Sequence, residues 1–308
     1  MIKIARAITG ILCLALICLT AGCGGSAPKN VQDSFTLEDL ERRNNIDAVF
    51  GKYQSIRVEA IFYDFDLSDR NDGDFTQSSV FVKGNYGVSV YTEFSFGEMY
   101  AVENRNVYHK YADGTYGLAA FFDDGLYEEY YLPIITQWIA YTPTDGEEII
   151  SVSAESSIRK VVTNARASAA EGFDDWGIPD GIVESNYELD EKSGLLLREA
   201  DYLITDDGSR RILSETQIHY GKDDSYNSPE YVALCKDMTE ARTVRFVRLA
   251  NTADEKVFTF TVPKGIILRP AAMEEYEYYE DAECTILYDL NTDDYLDGLT
   301  LYMKQLED

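Results

Sequence analysis

The chain has 308 residues, a net charge of −28 at pH 7, and contents of 45% hydrophobic and 13% aromatic residues. The hydrophobic content argues against intrinsic disorder. The negative charge repels phosphate backbones, which excludes nucleic-acid binding, and it also repels anionic lipid headgroups. Tyrosine occurs 23 times and favours β-structure, because an aromatic ring suits a half-buried sheet surface.

The first 22 residues have the three parts of an export signal. Lys3 and Arg6 supply positive charge, residues 8–19 are almost entirely apolar, and small residues follow. The apolar run is too short for a membrane span, which needs roughly 20 apolar residues. We therefore predict that residues 1–22 are a signal peptide and take no part in the fold.

The end of this signal, Thr20-Ala21-Gly22-Cys23, resembles the lipobox of bacterial lipoproteins. The resemblance implies cleavage after Gly22, acylation of Cys23, and anchoring to the outer, extracytoplasmic face of the cell membrane. Thr20 departs from the motif, which prefers leucine there. An ordinary secretory signal and an uncleaved signal anchor remain as alternatives. Residues 23–35 are rich in glycine and serine near their start, which is typical of a flexible tether.

One amphipathic helix is predicted next. Thr36 can cap its first turn, and Asp39 stands three residues later in a near capping-box arrangement. Leu40 and Val49 contribute to an apolar stripe, and Gly51 can end the helix.

The pattern then changes to period two, which predicts an antiparallel meander of short strands separated by turn residues. Residues 126–141 contain Pro133, and we expect a helical turn or a covering loop there. The last 38 residues, 271–308, form an acidic, tyrosine-rich extension. The predicted strands are Ile56–Phe62, Val80–Lys83, Val88–Phe94, Glu98–Glu103, Val107–Tyr111, Tyr116–Phe122, Ile149–Val152, Ile158–Thr163, Ile182–Leu189, Leu195–Ile204, Ile212–Tyr220, Thr243–Arg248, Val257–Val262, Cys284–Leu290 and Leu299–Gln305.

Cys235 and Cys284 are the cysteines that remain after the signal and Cys23 are accounted for. Outside the cytoplasm they could form one disulfide, and two free thiols are the alternative. Their neighbours do not form a zinc motif, so no metal site is predicted.

The sequence predicts no enzyme and no cofactor. His109 and His219 lack the surroundings of a catalytic triad or a zinc protease, and we interpret both as structural. A phosphate-binding glycine loop is absent from the sequence. Trp138 and Trp176 could stack on sugar rings, but packing in the core or on a hairpin is the better explanation.

Two segments carry a further resemblance. Tyr187-Glu188-Leu189-Asp190 precedes Ser193-Gly194-Leu195-Leu196, and Phe258-Thr259-Phe260-Thr261-Val262-Pro263-Lys264-Gly265 follows later. These motifs resemble those of the LolA/LppX-like lipoprotein carriers. The resemblance implies a domain over residues 36–270 that is mainly β: a strongly curved antiparallel half-barrel with an N-terminal helix and a few short covering helices. It also implies shelter for acyl chains or another apolar ligand.

Three kinds of function remain open. The first is a membrane-anchored, non-enzymatic lipoprotein that binds a lipid or another apolar ligand. The second is an interaction or sensor module that binds another envelope protein. The third is a glycan-binding surface protein.

Overall fold

The computed structural model describes residues 35–65, 73–84, 87–122, 141, 144–169, 180–222, 227–270, 276–290 and 297–306. The predicted signal, the predicted acylation site Cys23, the predicted tether up to residue 34, the segment 126–140, Trp138 and Trp176 lie outside these residues. The chain divides into two compact units. The first comprises residues up to Lys83 together with Leu132–Asp224, and the second comprises Gly84–Tyr131 together with Ser225–Asp308.

Antiparallel strands dominate both units, which confirms the predicted mainly-β class. The described residues also form three short α-helices, α1 (Leu37–Asn44), α2 (Ile46–Phe50) and α3 (Glu230–Cys235), and a 3-10 turn at Ala167–Ala169. The strands are β1 (Ser55–Phe65), β2 (Gly73–Gly84), β3 (Gly87–Phe94), β4 (Met99–Glu103), β5 (Asn106–Lys110), β6 (Tyr116–Ala120), β7 (Glu148–Glu155), β8 (Ile158–Arg166), β9 (Ile182–Asp190), β10 (Leu196–Ile204), β11 (Arg210–Gly221), β12 (Ala241–Arg248), β13 (Lys256–Pro263), β14 (Ile266–Pro270), β15 (Tyr276–Tyr279) and β16 (Leu299–Gln305).

In the first unit the strands follow the order β2-β1-β11-β10-β9-β8-β7, and each pair is antiparallel. Register shifts interrupt four of these pairings, and such bulges bend strands and increase their twist. The result is a curved, open sheet. We call the side that carries Ile56, Phe81, Val161 and Leu189, all buried, the inner face.

Two helices precede this sheet. Thr36 and Asp39 form the expected capping box. The predicted single helix is wrong in one respect: Asn45 is extended, with φ −72° and ψ 158°, so it ends α1 and caps α2 through its side chain. Asparagine competes with helical hydrogen bonding in this way, because its short side chain can bond to nearby backbone groups.

Asn44 fastens the end of α1 to the hairpin between β9 and β10. Its side chain is 1% exposed, donates to the carbonyl oxygens of Leu40 and Gly194 at 2.8 and 3.2 Å, and accepts from the Leu196 amide at 2.7 Å. At the other end of the pair, the Lys83 ammonium donates to the Phe50 carbonyl at 3.0 Å. These contacts hold both helices on the sheet of the first unit.

The second unit contains the strands β3 to β6 in antiparallel sequence, with β14 added parallel to β6. A further sheet has the order β13-β12-β16-β15. The ring of Phe122 lies 5.6 Å from Phe246 and 5.2 Å from Phe258, in an aromatic cluster that forms part of this unit's core.

α3 is attached to the same unit by an ion pair between the exposed Lys236 and the buried Glu103. Lys236, at the end of α3, donates to Glu103, which also accepts from the Tyr91 hydroxyl at 2.6 Å. Burial raises the pKa of Glu103, but bonds from Lys236, Ser228 and Tyr91 outweigh it and lower that pKa overall.

Several predictions about the C-terminal third are wrong. Residues Cys284–Leu290 form turns and one isolated bridge instead of a strand, because Asp281 caps the turn by accepting from the amides of Thr285 and Ile286. Pro263-Lys264-Gly265 leads into β14, a strand that is absent from the sequence prediction. The predicted strand Leu299–Gln305 is confirmed as β16, which pairs in parallel with β12.

We expect Asn44→Ala to destabilise the first unit by about 1–3 kcal/mol, because the change leaves the buried Leu196 amide without its acceptor. Urea unfolding at neutral pH measures the loss. Gln217→Ala, at an exposed position on β11, is the control and should stay within about 0.5 kcal/mol of the parent chain. Equal stability of both variants would show that Asn44 is not a structural contact.

Candidate functional site

The inner face of the first unit is not uniformly apolar. Glu199 and Asp201 stand two residues apart on β10, so their side chains share one side of the strand. Their cross-strand partners on β9 are Tyr187 and Ser185. Glu147, in the turn before β7, reaches the same region, because it accepts a hydrogen bond from Tyr187. We call Glu147, Glu199 and Asp201 the acidic floor.

Glu147 is held by three donors. Its Oε1 accepts from the Thr163 hydroxyl at 2.6 Å and from the Tyr187 hydroxyl at 3.3 Å. Its Oε2 accepts from the Thr144 amide at 2.9 Å. These bonds fix the carboxylate against β8 and β9.

Asp201 is held by two serines from the neighbouring strands. Ser185 on β9 donates to Oδ1 at 2.6 Å, and Ser214 on β11 donates to Oδ2 at 2.7 Å. Tyr187 also lies within hydrogen-bonding reach of Glu199. The floor is therefore organised by hydroxyl groups from β8, β9 and β11.

Burial and nearby negative charge raise the pKa values of Glu199 and Asp201. Burial raises the pKa of Glu199 well above its ordinary value, and the charges of Asp201 and Glu147 raise it further. Burial also raises the pKa of Asp201, with a smaller contribution from Glu147, against the bonds from Ser185 and Ser214, which lower it. The Glu199–Asp201 pair therefore retains a proton at higher pH than isolated carboxyls do.

On the opposite face of the same sheet, two acids are paired with arginines. There Arg198 pairs with Glu215 at 2.6 Å, and Arg210 pairs with Glu184 at 2.8 Å. Among the residues that the structure describes, the acidic floor makes no ion pair with a lysine or arginine. Buried acids with perturbed pKa values and no basic partner are found more often in functional sites than in structural ion pairs.

Aromatic and apolar side chains surround the floor. The ring of Tyr141 packs edge-to-face on Tyr187 at 5.2 Å. Val161, Leu189 and Leu203 are buried on the neighbouring strands. Glu199, Asp201, Ser185 and Thr216 stay half-buried, so part of this polar surface is open to an incoming ligand.

The residues singled out from the sequence lie elsewhere. His109 is stacked between Tyr100 and Tyr111, with ring centroids at 3.9 and 3.7 Å, and its Nε2 lies 3.4 Å from Glu98. His219 is exposed on β11. Within the described ranges, no group of three or more acidic, histidine or cysteine residues is arranged to hold a metal ion.

Cys235 and Cys284 are free thiols in the structure. Cys235 is buried on α3, whereas Cys284 is half-buried in a turn. Burial raises the pKa of the Cys235 thiol to about 11. The structure therefore does not form the disulfide that the sequence allowed, and its formation in an oxidising compartment stays a prediction.

Sequence reasoning missed the acidic floor. A signal was present in β10, where the alternation places Glu199 and Asp201 on the same side as the buried Leu203. Acids at inward positions of a strand are uncommon. With 55 acidic residues in the chain, however, this pattern could not be separated from the many solvated acids.

We expect Glu199→Gln to raise the urea midpoint at pH 7.5 and to leave it nearly unchanged at pH 4. A carboxyl whose pKa is raised in the folded state contributes most below its unfolded pKa, near 4.3, and loses that contribution as pH rises toward the folded value. The amide of the Glu199→Gln variant does not titrate, so the variant avoids this loss of stability. The gain is about 1.4 kcal/mol for each unit by which the folded pKa of Glu199 exceeds the unfolded one.

Glu215→Gln, which neutralises an acid on the opposite face, is the matched control for this measurement. It removes an ion pair with Arg198 and should leave the midpoint unchanged or slightly lower at pH 7.5. If Glu199→Gln shifts the midpoint equally at both pH values, the carboxyl does not titrate abnormally.

Comparisons with known proteins find low-scoring similarities to two solved structures. No family model and no curated protein matches the chain. Among solved structures, the chain is similar to LprF from Mycobacterium bovis, with 12% identity, a TM-score of 0.34, and coverage of 63% of this chain and 96% of that one. It is also similar to the lipoprotein LppX from Mycobacterium tuberculosis, with 14% identity, a TM-score of 0.31, and coverage of 62% and 97%.

Proposed function

We propose that the chain is a lipid-anchored, extracytoplasmic binding protein that holds an apolar or amphiphilic ligand on the inner face of its first unit and catalyses no reaction. The observation that carries the proposal is the half-buried surface of Glu199, Asp201, Ser185 and Thr216 within an otherwise buried face. An open patch of this kind, bordered by apolar side chains and equipped with a few polar groups, is the usual design of a small-molecule site.

The covering helices support this proposal. α1 and α2 are fastened at Asn44 and at the Phe50 carbonyl, and their side chains Leu40 and Val49 are both fully buried. Apolar helix residues over an apolar sheet surface provide the environment that favours a hydrocarbon chain, at about 25 cal/mol per Å² of apolar area removed from water.

The absence of catalysis is proposed from the bonding of the hydroxyl groups. Ser185 and Ser214 both donate to Asp201, and neither is hydrogen-bonded, within the described part of the chain, to an imidazole, the base that activates serine in the Ser-His-Asp triad. On our proposal these two hydroxyls orient the Asp201 carboxyl group.

The anchor is proposed from the lipobox at Cys23. Phe35, at the start of the described chain, lies with its ring 5.2 Å from the Arg159 guanidinium, which fixes the point where the tether meets the first unit. The twelve residues from Cys23 to Ser34 can span roughly 40 Å when extended. The structure contains no helix, among the residues that it describes, long and apolar enough to cross a membrane.

A second candidate is a protein-binding module. β7 ends the strand order of the first unit, and its Ile150 is 57% exposed. An end strand can accept a strand from a partner. The register shift between Ile149 and Ser151 works against a long added strand, because bulges blunt such edges.

We expect native mass spectrometry of the chain extracted from bacterial membranes to show a bound lipid or another apolar compound. Ser185→Trp should abolish that extra mass, because the indole fills the open patch. Asn186→Trp, the next residue on the opposite face, is the matched control and should retain it. A parent chain without any bound small molecule, or a Ser185→Trp variant that retains it, would contradict the proposed function, and a co-purifying protein would favour the second candidate.

The anchor has its own test. A cell grown with an alkyne-labelled fatty acid should label the parent chain and leave it in the membrane fraction. Cys23→Ser should remove the label, whereas Cys235→Ser, which leaves the lipobox intact, should not. Label on the Cys23→Ser chain would exclude acylation at this cysteine.

A further inference from the structure

The acidic floor has more hydrogen-bond acceptors than donors. Glu147, Glu199 and Asp201 bring six carboxyl oxygens, and the donors that they receive come from neutral hydroxyls and one backbone amide. Neutral donors stabilise a buried negative charge less than an ammonium or guanidinium group does. A positively charged donor would therefore stabilise the carboxylates of the acidic floor more than their present donors do.

In the second unit, a buried acid with a structural role is paired with a basic side chain. Glu103 lies in a buried position and is paired with Lys236, and its pKa falls as a result. The acidic floor has no such partner in the part of the chain that the structure describes. The difference indicates that the floor is completed by something outside these residues.

A separate observation places an unused polar group beside the floor. Tyr141 is 7% exposed, and its hydroxyl makes no hydrogen bond of normal geometry, although it lies close to Glu147. A buried hydroxyl without a partner costs free energy comparable to a lost hydrogen bond. Its ring packs on Tyr187, so the two aromatic residues line one side of the floor.

The same row of the sheet ends in another unused group. Gln77, Ala60, Thr216 and Glu199 are successive cross-strand partners on β2, β1, β11 and β10. Gln77 is 4% exposed, and its Oε1 has no hydrogen-bond partner. Gln77 adds an acceptor and no further positive charge to this row.

We propose that the acidic floor binds the ammonium group of a cationic amphiphile, while the apolar chain of that ligand lies on the neighbouring apolar part of the inner face. This inference rests on the proposed function and names the chemistry of the head group. An ammonium group donates three hydrogen bonds without accepting any, which matches a site of acceptors.

Other head groups fit less well. A sulfate or phosphate group would meet the carboxyls with repulsion. A sugar brings as many acceptors as donors and leaves the acids without compensation. A bare metal ion requires an arrangement of three or more ligands, which the described residues do not provide.

The test compares three amphiphiles that share a dodecyl chain: dodecylammonium, dodecyl maltoside and dodecyl sulfate. Each is titrated below its critical micelle concentration, at pH 7.5 and about 150 mM salt, where the Debye length of about 8 Å suppresses long-range attraction. The protein is the mature chain, residues 23–308, with Cys23→Ser so that it carries no lipid. Calorimetry or tyrosine fluorescence reports the binding.

We expect dodecylammonium to bind at least tenfold more tightly than the other two. The double variant Glu199→Gln/Asp201→Asn should remove that preference, whereas Glu215→Gln, which removes one negative charge from the opposite face, should retain it. The single variant Glu199→Gln, expected to be at least as stable as the parent at this pH, gives the same readout if the double variant does not fold.

The outcomes separate the two levels of the proposal. Equal binding of all three amphiphiles would overturn the head-group inference and leave the proposed function standing. A preference for dodecylammonium that persists in the variants of the floor would also overturn it, because the cation would then bind elsewhere. Failure of every amphiphile to bind would contradict the proposed function itself.

Discussion

The buried amide of Asn44 is the contact on which the arrangement of the first unit depends. It satisfies two carbonyl groups and one amide that join α1 to the β9–β10 hairpin. Gly194, in that hairpin, has φ +72°, and a side chain there would meet the Arg43 guanidinium at 2.5 Å. The helix and the hairpin therefore approach more closely than most residues would permit. This approach fixes the end of α1 against the β9–β10 hairpin.

The inner face combines buried apolar side chains with acidic side chains whose charged forms burial disfavours. Burial favours apolar side chains, and Phe81, Ile56 and Leu189 meet that demand. The acidic floor does not, since burial disfavours the charged forms of Glu199 and Asp201. Natural chains retain such unfavourable groups where a ligand or a reaction uses them. The paired buried acid Glu103 in the second unit shows that the same chain can compensate an acid when only structure is at stake.

Much of the fold was predictable because its signals are local. The capping box at Thr36 and Asp39, the period-two strands and their turns depend on neighbouring residues, and the structure confirms them. The split of the first helix at Asn45 and the turn capped by Asp281 were missed, because both arise from side chains that bond to the backbone. The parallel partners of β14 and β16 were missed since they pair residues far apart in the chain.

The sequence by itself determined that the chain is mainly β, carries a net charge of −28, and begins with a segment that resembles a lipoprotein signal. Those properties follow from composition, periodicity and short motifs. Tertiary structure alone decided which of the 55 acidic residues have a special environment. Glu199 and Glu215 have the same side chain and differ in which face of one sheet they occupy. Register makes that difference, because it turns the Glu199 carboxyl toward the inner face, where burial raises its pKa, and leaves Glu215 on the opposite face beside Arg198.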